Sequence, residues 1–361
     1  MNTSVPAVTD EGLPSFYTQL KRQMTYPGSW LSGNDTDFTL WKSGARQRLR
    51  TSLLTPDATK AFVPQTCERQ DRGSYTAEKV IFNLTDESRV NALLLSPNAS
   101  GPHPAIVLLH DHGSMFDIGK EKTIKPWGDT EQLTLAQTWA DTYFSGRFVG
   151  DELATRGYVV LAVDALGWGE RGPIKYEQQQ ALASNFFNLG RSLAGLMAYE
   201  DMRAIDFLAS LDQVDKQRIG VVGFSMGAYR AWQLAALSDK VAATAAIAWF
   251  GTYDGLMTPG NNVLRGQSAF YMLHPGLPGH FDFPDVASIS APNPMLLFNG
   301  GKDHLFPTHS VVAAYEKIHK IWQSQCADSR LETRIWPELG HVFCREQQDA
   351  VFAWLDRWLK E

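Results

Sequence analysis

Three polar residues, far apart in the chain, have the types and the order that nucleophilic catalysis requires: Ser225, Asp303 and His341. A serine hydroxyl is a weak nucleophile at neutral pH. It needs a base to take its proton and a third group to orient that base. Ser225 is the centre of Gly223-Phe224-Ser225-Met226-Gly227. The run Arg218-Ile219-Gly220-Val221-Val222 precedes it and a helical pattern from Ala228 to Leu237 follows. That context predicts a nucleophile elbow: a strand, a very tight turn and a helix. Glycines on either side of the serine have no Cβ to clash where strand and helix converge. The first free N–H groups of the helix, and its positive dipole end, then face the serine.

In a strand–turn–helix order of this kind the acid and the histidine follow the serine, each just past a later strand. Gly300-Gly301-Lys302-Asp303-His304 follows an apolar run ending at Phe298, and Gly340-His341 follows one ending at Trp336. Alone, Asp303 reads equally well as a turn aspartate and His341 as a helix cap. Glu338 is the rival acid, close in sequence to His341. His304 and His309 are rival bases, neither with an acid behind a later strand.

The negative charge that develops on an attacked carbonyl oxygen needs donors. The backbone N–H of Met226 is the first candidate. The second belongs to His110-Asp111-His112-Gly113, which follows the run Pro104–Leu109; His112 is favoured and Asp111 is the alternative. His110-x-His112 also invites a metal reading, but no third ligand stands at a suitable spacing, so neither metal nor cofactor is expected. Trp127, Trp139, Trp168 and Trp249 fall in or beside the loops next to these residues. Trp168 and Trp249 are the candidates for stacking on a substrate, against the plainer reading that tryptophans pin long loops to the core.

The elements that must hold these residues alternate. Val80–Phe82 and Val90–Leu95 read as a hairpin around Asp86-Glu87-Ser88. Strands then follow at 104–109, 158–163, 218–222, 241–249, 294–298 and 331–336, with helices at 148–156, 192–211, 228–237, 309–322 and 347–359. This predicts an α/β fold, a mostly parallel central sheet with helices on both faces. Ligands of such sheets bind beyond the carboxyl ends of the strands, where the serine, His110, Asp164 and Asp303 segments all emerge. Residues 113–146, 170–185 and 251–290 show little periodicity and are read as long loops over that end. In residues 1–75, Phe16, Leu20, Met24, Leu40, Trp41, Ala45, Leu49 and Leu53 recur at roughly helical spacing. They predict a helical N-terminal extension packing on a catalytic domain of residues 76–361.

The 361 residues are 44% hydrophobic and 20% charged, with a net charge of -6. There is no basic cluster for nucleic acid and no apolar run long enough to span a membrane. Three scattered cysteines make no disulfide framework. No leader is evident at Met1–Leu20, so a cytoplasmic location is expected. Oligomeric state is not legible.

Taken together, Gly223–Gly227, Asp303, His341 and the His110–Gly113 turn resemble the α/β-hydrolase superfamily over about residues 78–361. The His-x-His-Gly turn, the Asp164-x-x-Gly-x-Gly turn and the N-terminal extension are most similar to its dienelactone-hydrolase-like and acetyl xylan esterase branch. Two departures stand out. Dienelactone hydrolases proper carry a cysteine where this chain has Ser225. Acetyl xylan esterases of the cephalosporin-deacetylase kind have Arg-Gly-Gln and a Gly-Gly after the elbow, where this chain has Leu166-Gly167-Trp168 and Gly227-Ala228. The resemblance implies a serine carboxyl-ester hydrolase acting through an acyl-enzyme on a small acyl ester, an acetylated sugar being one candidate. The alternative is a peptidase resembling the prolyl-oligopeptidase group, whose members usually carry a large N-terminal propeller that 75 helical residues cannot supply. A binding protein on a hydrolase scaffold would typically have lost one of the three residues.

Overall fold

The computed structural model describes Val8, Pro14, residues 16–258 and residues 268–361. The N-terminal part holds α1 (Tyr17–Lys21) and α2 (Phe38–Arg50). Asp37 caps α2, accepting from the Leu40 N–H at 3.0 Å. Trp41, Ala45 and Leu49, one turn apart, are the buried face of α2 and join the core under the sheet. Ser29 Oγ donates to the buried Asp285 carboxylate at 2.5 Å, tying the segment before α2 to the body.

The sheet starts earlier than the sequence suggests. β1 (Gln65–Asp71) lies inside the stretch read as helical, and all its residues are exposed. A charged edge strand has no buried face and so shows no alternation to read. It pairs antiparallel with β2 (Tyr75–Asn83), which forms the expected hairpin with β3 (Arg89–Pro97). β4 (His103–Leu109) leads to the His110 turn.

Two stretches expected as irregular contain helices. Residues 113–146 include α3 (Thr130–Tyr143), and residues 170–185 run into α5 (Tyr176–Asn188). Between them lie α4 (Val149–Thr155) and β5 (Val159–Val163). α3 buries Ala136, Trp139 and Ala140, and α5 only Gln179 and Ala183. Neither has the wide apolar stripe that helix periodicity detects. α6 (Leu193–Ser210), β6 (Val214–Phe224), α7 (Met226–Leu237) and β7 (Ala243–Ile247) follow as expected. In the third stretch, α8 (Tyr253–Leu256) and α9 (Phe283–Ser288) are short helices, and residues 259–267 lie outside the described residues. β8 (Met295–Gly300), α10 (Thr308–Ser324), β9 (Leu331–Trp336) and α11 (Arg345–Leu359) complete the chain.

The nine strands run in the order β1-β2-β3-β5-β4-β6-β7-β8-β9. β5 through β9 in that order are parallel; β1, β2 and β3 add an antiparallel edge. Val107 and Leu109 of β4 face one core, and Ile106 and Leu108 the other. This is the period-2 signature of a strand buried on both faces. Among the described residues no helix is long and apolar enough to cross a membrane.

Candidate active site

The turn from β6 into α7 is as tight as the sequence requires. Ser225 has φ 55° and ψ −124°, a strained backbone for a residue with a Cβ. A Cβ on Gly223 would overlap the Gly227 carbonyl group, and one on Gly227 would overlap the Leu109 carbonyl oxygen at the end of β4. The two glycines therefore let the strand, the helix and the neighbouring strand close on one another around the serine. Met226 opens α7 directly after Ser225, so its N–H belongs to the first, unbonded turn of the helix. Among the described residues no acceptor bonds the Met226 or His112 N–H.

β8 and β9 deliver the other two groups. His341 Nε2 lies 2.8 Å from Ser225 Oγ, and His341 Nδ1 lies 2.6 Å from Asp303 Oδ2. The Asp303 side chain is fully buried and its second oxygen accepts from the Leu305 N–H at 2.9 Å. The imidazole packs on Phe224 and stacks on Phe306, with centroids 5.0 and 6.2 Å away. The rival groups are elsewhere. Glu338 pairs with Lys302 at the surface, and His304 and His309 are exposed.

The His110–Gly113 turn is held from beneath. His110 Nε2 accepts from the Ala165 N–H at 3.0 Å, and Nδ1 donates to the Asp111 carbonyl at 2.9 Å. Both ring nitrogens are thus used by main chain, which leaves His110 no free lone pair for a metal. Burial, with the Arg230 and Lys122 charges behind it, pushes the His110 pKa well below its ordinary value. The His112 ring is also buried, between Trp168, Phe116 and Tyr176. Burial and the Lys122 ammonium bring its pKa down to about 4, so the ring is neutral. Its Nδ1 accepts from the Ser114 N–H. What His112 can offer a substrate is its backbone N–H.

That N–H is the better placed of the two considered. The His110 carbonyl faces α7, 3.3 Å from Arg230 Nη1, so the Asp111 N–H in the same trans peptide points away from the elbow. The Asp111 carbonyl points inward, to His110 Nδ1 and Lys122 Nζ, and turns the His112 N–H outward.

The tryptophans are a correction. Trp168 is 0% and Trp249 1% exposed. The Trp168 indole donates to the His112 carbonyl at 3.1 Å, and Trp249 packs behind Phe306 at 5.3 Å. Both are wall and support; neither offers a face to a ligand. Trp139 likewise donates to Asp111 Oδ2, and Trp127 lies under Arg72 and Lys79, by the hairpin. Two contributors went unseen in the sequence: Phe306, which backs the imidazole, and Lys122, buried beneath the turn.

With the fold and this geometry in place, the sequence profile of the dienelactone hydrolase family matches residues 145–356, more than half of the chain. The chain belongs to that family. As a dienelactone hydrolase family member it is a hydrolase with the α/β-hydrolase fold. It is 28% identical over 297 residues to "Putative hydrolase YtaP" of Bacillus subtilis (strain 168), covering 82% of this chain and 92% of that one. A "putative acetyl xylan esterase" of Bacteroides fragilis NCTC 9343 superposes with a TM-score of 0.72 at 19% identity, over 97% of each chain. A glucuronoyl esterase from Solibacter usitatus gives 0.63 at 12% identity, over 99% of this chain and 98% of that one. At those two identities the likeness is one of fold.

Proposed function

We propose that the protein is a serine carboxyl-ester hydrolase acting through an acyl-enzyme on a small acyl ester. The observation that carries this is the unbroken hydrogen-bonded chain from Ser225 Oγ through His341 to the buried Asp303. Asp303 holds the proton on Nδ1, which leaves the Nε2 lone pair facing the hydroxyl. Ser225 Oγ attacks the ester carbonyl as its proton passes to Nε2. The oxygen that becomes negative is met by the Met226 and His112 N–H groups. Collapse breaks the bond to the alcohol, which leaves with the proton from Nε2. Water then repeats the sequence on the acyl-serine and frees the acid. Esters of carbohydrates, acetylated sugars first, are the substrates favoured by the names of the fold neighbours.

Fluorophosphonate labelling with peptide mapping, and a p-nitrophenyl ester series from acetate to octanoate, test the reading. The modification should map to Ser225. Turnover should fall with chain length and vanish in Ser225→Ala. Turnover surviving in Ser225→Ala would sink the proposal. Labelling without ester turnover would move the search to amides or bulkier esters.

A further inference from the structure

Lys122 closes the short 3-10 turn Lys120–Lys122, a little after the His110–Gly113 turn. Its side chain is 0% exposed. An ammonium is among the groups least often buried, and only donors that are all used make burial tolerable. Here the three N–H donors meet three oxygens: the Asp111 and His112 carbonyls, each at 3.1 Å, and Asp111 Oδ1 at 3.4 Å. The ammonium also lies over the Trp139 ring, 4.8 Å from its centroid.

The two carbonyls belong to consecutive peptide units whose N–H groups are those of His112 and Gly113. Among the described residues the one cis bond is Ala291–Pro292, so both units are trans, and C=O and N–H point in opposite directions. Drawing both carbonyls inward turns both N–H groups toward the open side. His110 Nδ1 and Trp168 Nε1 add a second donor to each carbonyl. The turn needs such restraint: Gly113 and Ser114 both have positive φ, 56° and 55°. A non-glycine residue stays in that region only where its surroundings over-determine it.

We propose that Lys122 is a positioning residue for the oxyanion-binding turn, its ammonium fixing the Asp111 and His112 peptide planes so that the His112 N–H meets the acyl oxygen. This rests on the reading of Ser225 as nucleophile.

The test is Lys122→Met, which keeps the length and removes the donors. Kinetics with p-nitrophenyl acetate, the rate of fluorophosphonate labelling and the inhibition constant of a trifluoromethyl ketone are measured together. The ketone adds to the serine and places an oxyanion where the ester does. Deleting an oxyanion donor typically lowers kcat by about 100- to 1,000-fold, and loosening one should lower it by roughly 10- to 100-fold. kcat and kcat/KM should fall together, labelling should slow, and the ketone should weaken by a similar factor, with KM within about threefold. A purely structural lysine would lower the melting temperature and leave kcat of the folded enzyme intact, and that result overturns the proposal. Lys122→Met/Asp111→Asn leaves no unpaired buried carboxylate and is read in the same way where the single variant does not fold. If Ser225→Ala is inactive while a folded Lys122 variant keeps wild-type kcat, this inference alone fails. If Ser225→Ala turns over substrate, the underlying reading fails.

Discussion

Gly227→Ala tests whether the elbow and the oxyanion turn are one mechanical unit. The added methyl would overlap the Leu109 carbonyl oxygen and crowd that of His110, both main-chain atoms. No side chain can rotate out of the way, so either α7 or the end of β4 must retreat by on the order of 1 Å. Overpacking of this kind typically costs about 1–3 kcal/mol, and a rigid backbone neighbour places this case toward the upper end. The kinetic effect should be larger than the loss of stability suggests. Leu109 and His110 lead directly to His112, and Gly227 is two residues from Ser225. The displacement therefore separates the nucleophile from one of its two proposed donors. A misplacement of about 1 Å is worth roughly a hundredfold in rate. The expected outcome is a folded protein with a lowered urea midpoint and kcat/KM for p-nitrophenyl acetate down by about two orders of magnitude. Gly44→Ala, in α2 with open space around it, is the control and should leave the kinetics unchanged. A Gly227→Ala protein with kcat/KM within threefold of wild type would refute the coupling between elbow and turn.

Other consequences follow from single contacts. Asp303→Asn presents an amide to His341 Nδ1 and favours the wrong tautomer. kcat should drop by about 10³–10⁴ at pH 7, and a loss under tenfold would remove Asp303 from its role. Ser29→Ala takes a donor from the buried Asp285 carboxylate, which Lys317 also pairs at 2.6 Å. Stability should fall by about 1–3 kcal/mol in urea unfolding with kcat unchanged; a kcat loss in step with stability would show that the N-terminal segment shapes the site. His274 is buried against Gln233, and burial brings its pKa down to about 4. The unfolded chain binds this proton more tightly. The stabilisation is therefore complete above about pH 6.5 and is lost as pH falls toward 4, with roughly 2 kcal/mol gone at pH 5. His274→Gln should lose correspondingly less stability between pH 7.5 and 5, and an identical loss in both proteins would contradict this.

What was legible in the sequence depended on how many constraints met at a residue. Ser225 sits where a strand, a helix and two glycines must coincide, and each leaves its own mark on the chain. Asp303 and His341 were readable because β8 and β9 are continuous apolar or alternating runs that end just before them. The helices α3 and α5 were not, because a helix that buries two or three side chains writes almost no period. Trp168 and Trp249 were misplaced for a related reason. A tryptophan beside a site is equally suited to facing it or to backing it, and the choice was made by partners that sequence does not show: the His112 carbonyl for Trp168 and the Met272 sulfur for Trp249. Lys122 is the extreme case. In Gly119-Lys120-Glu121-Lys122 it reads as a solvated charge, the ordinary fate of lysine. A buried cation makes sense only once the direction of the Asp111 and His112 carbonyls is known. Those carbonyls point inward to the Lys122 ammonium, and the N–H groups on the same peptides are thereby turned the other way. On this reading the lysine least visible in the sequence is the counterpart of the serine most visible in it: one sets where the oxyanion forms, the other what it meets there.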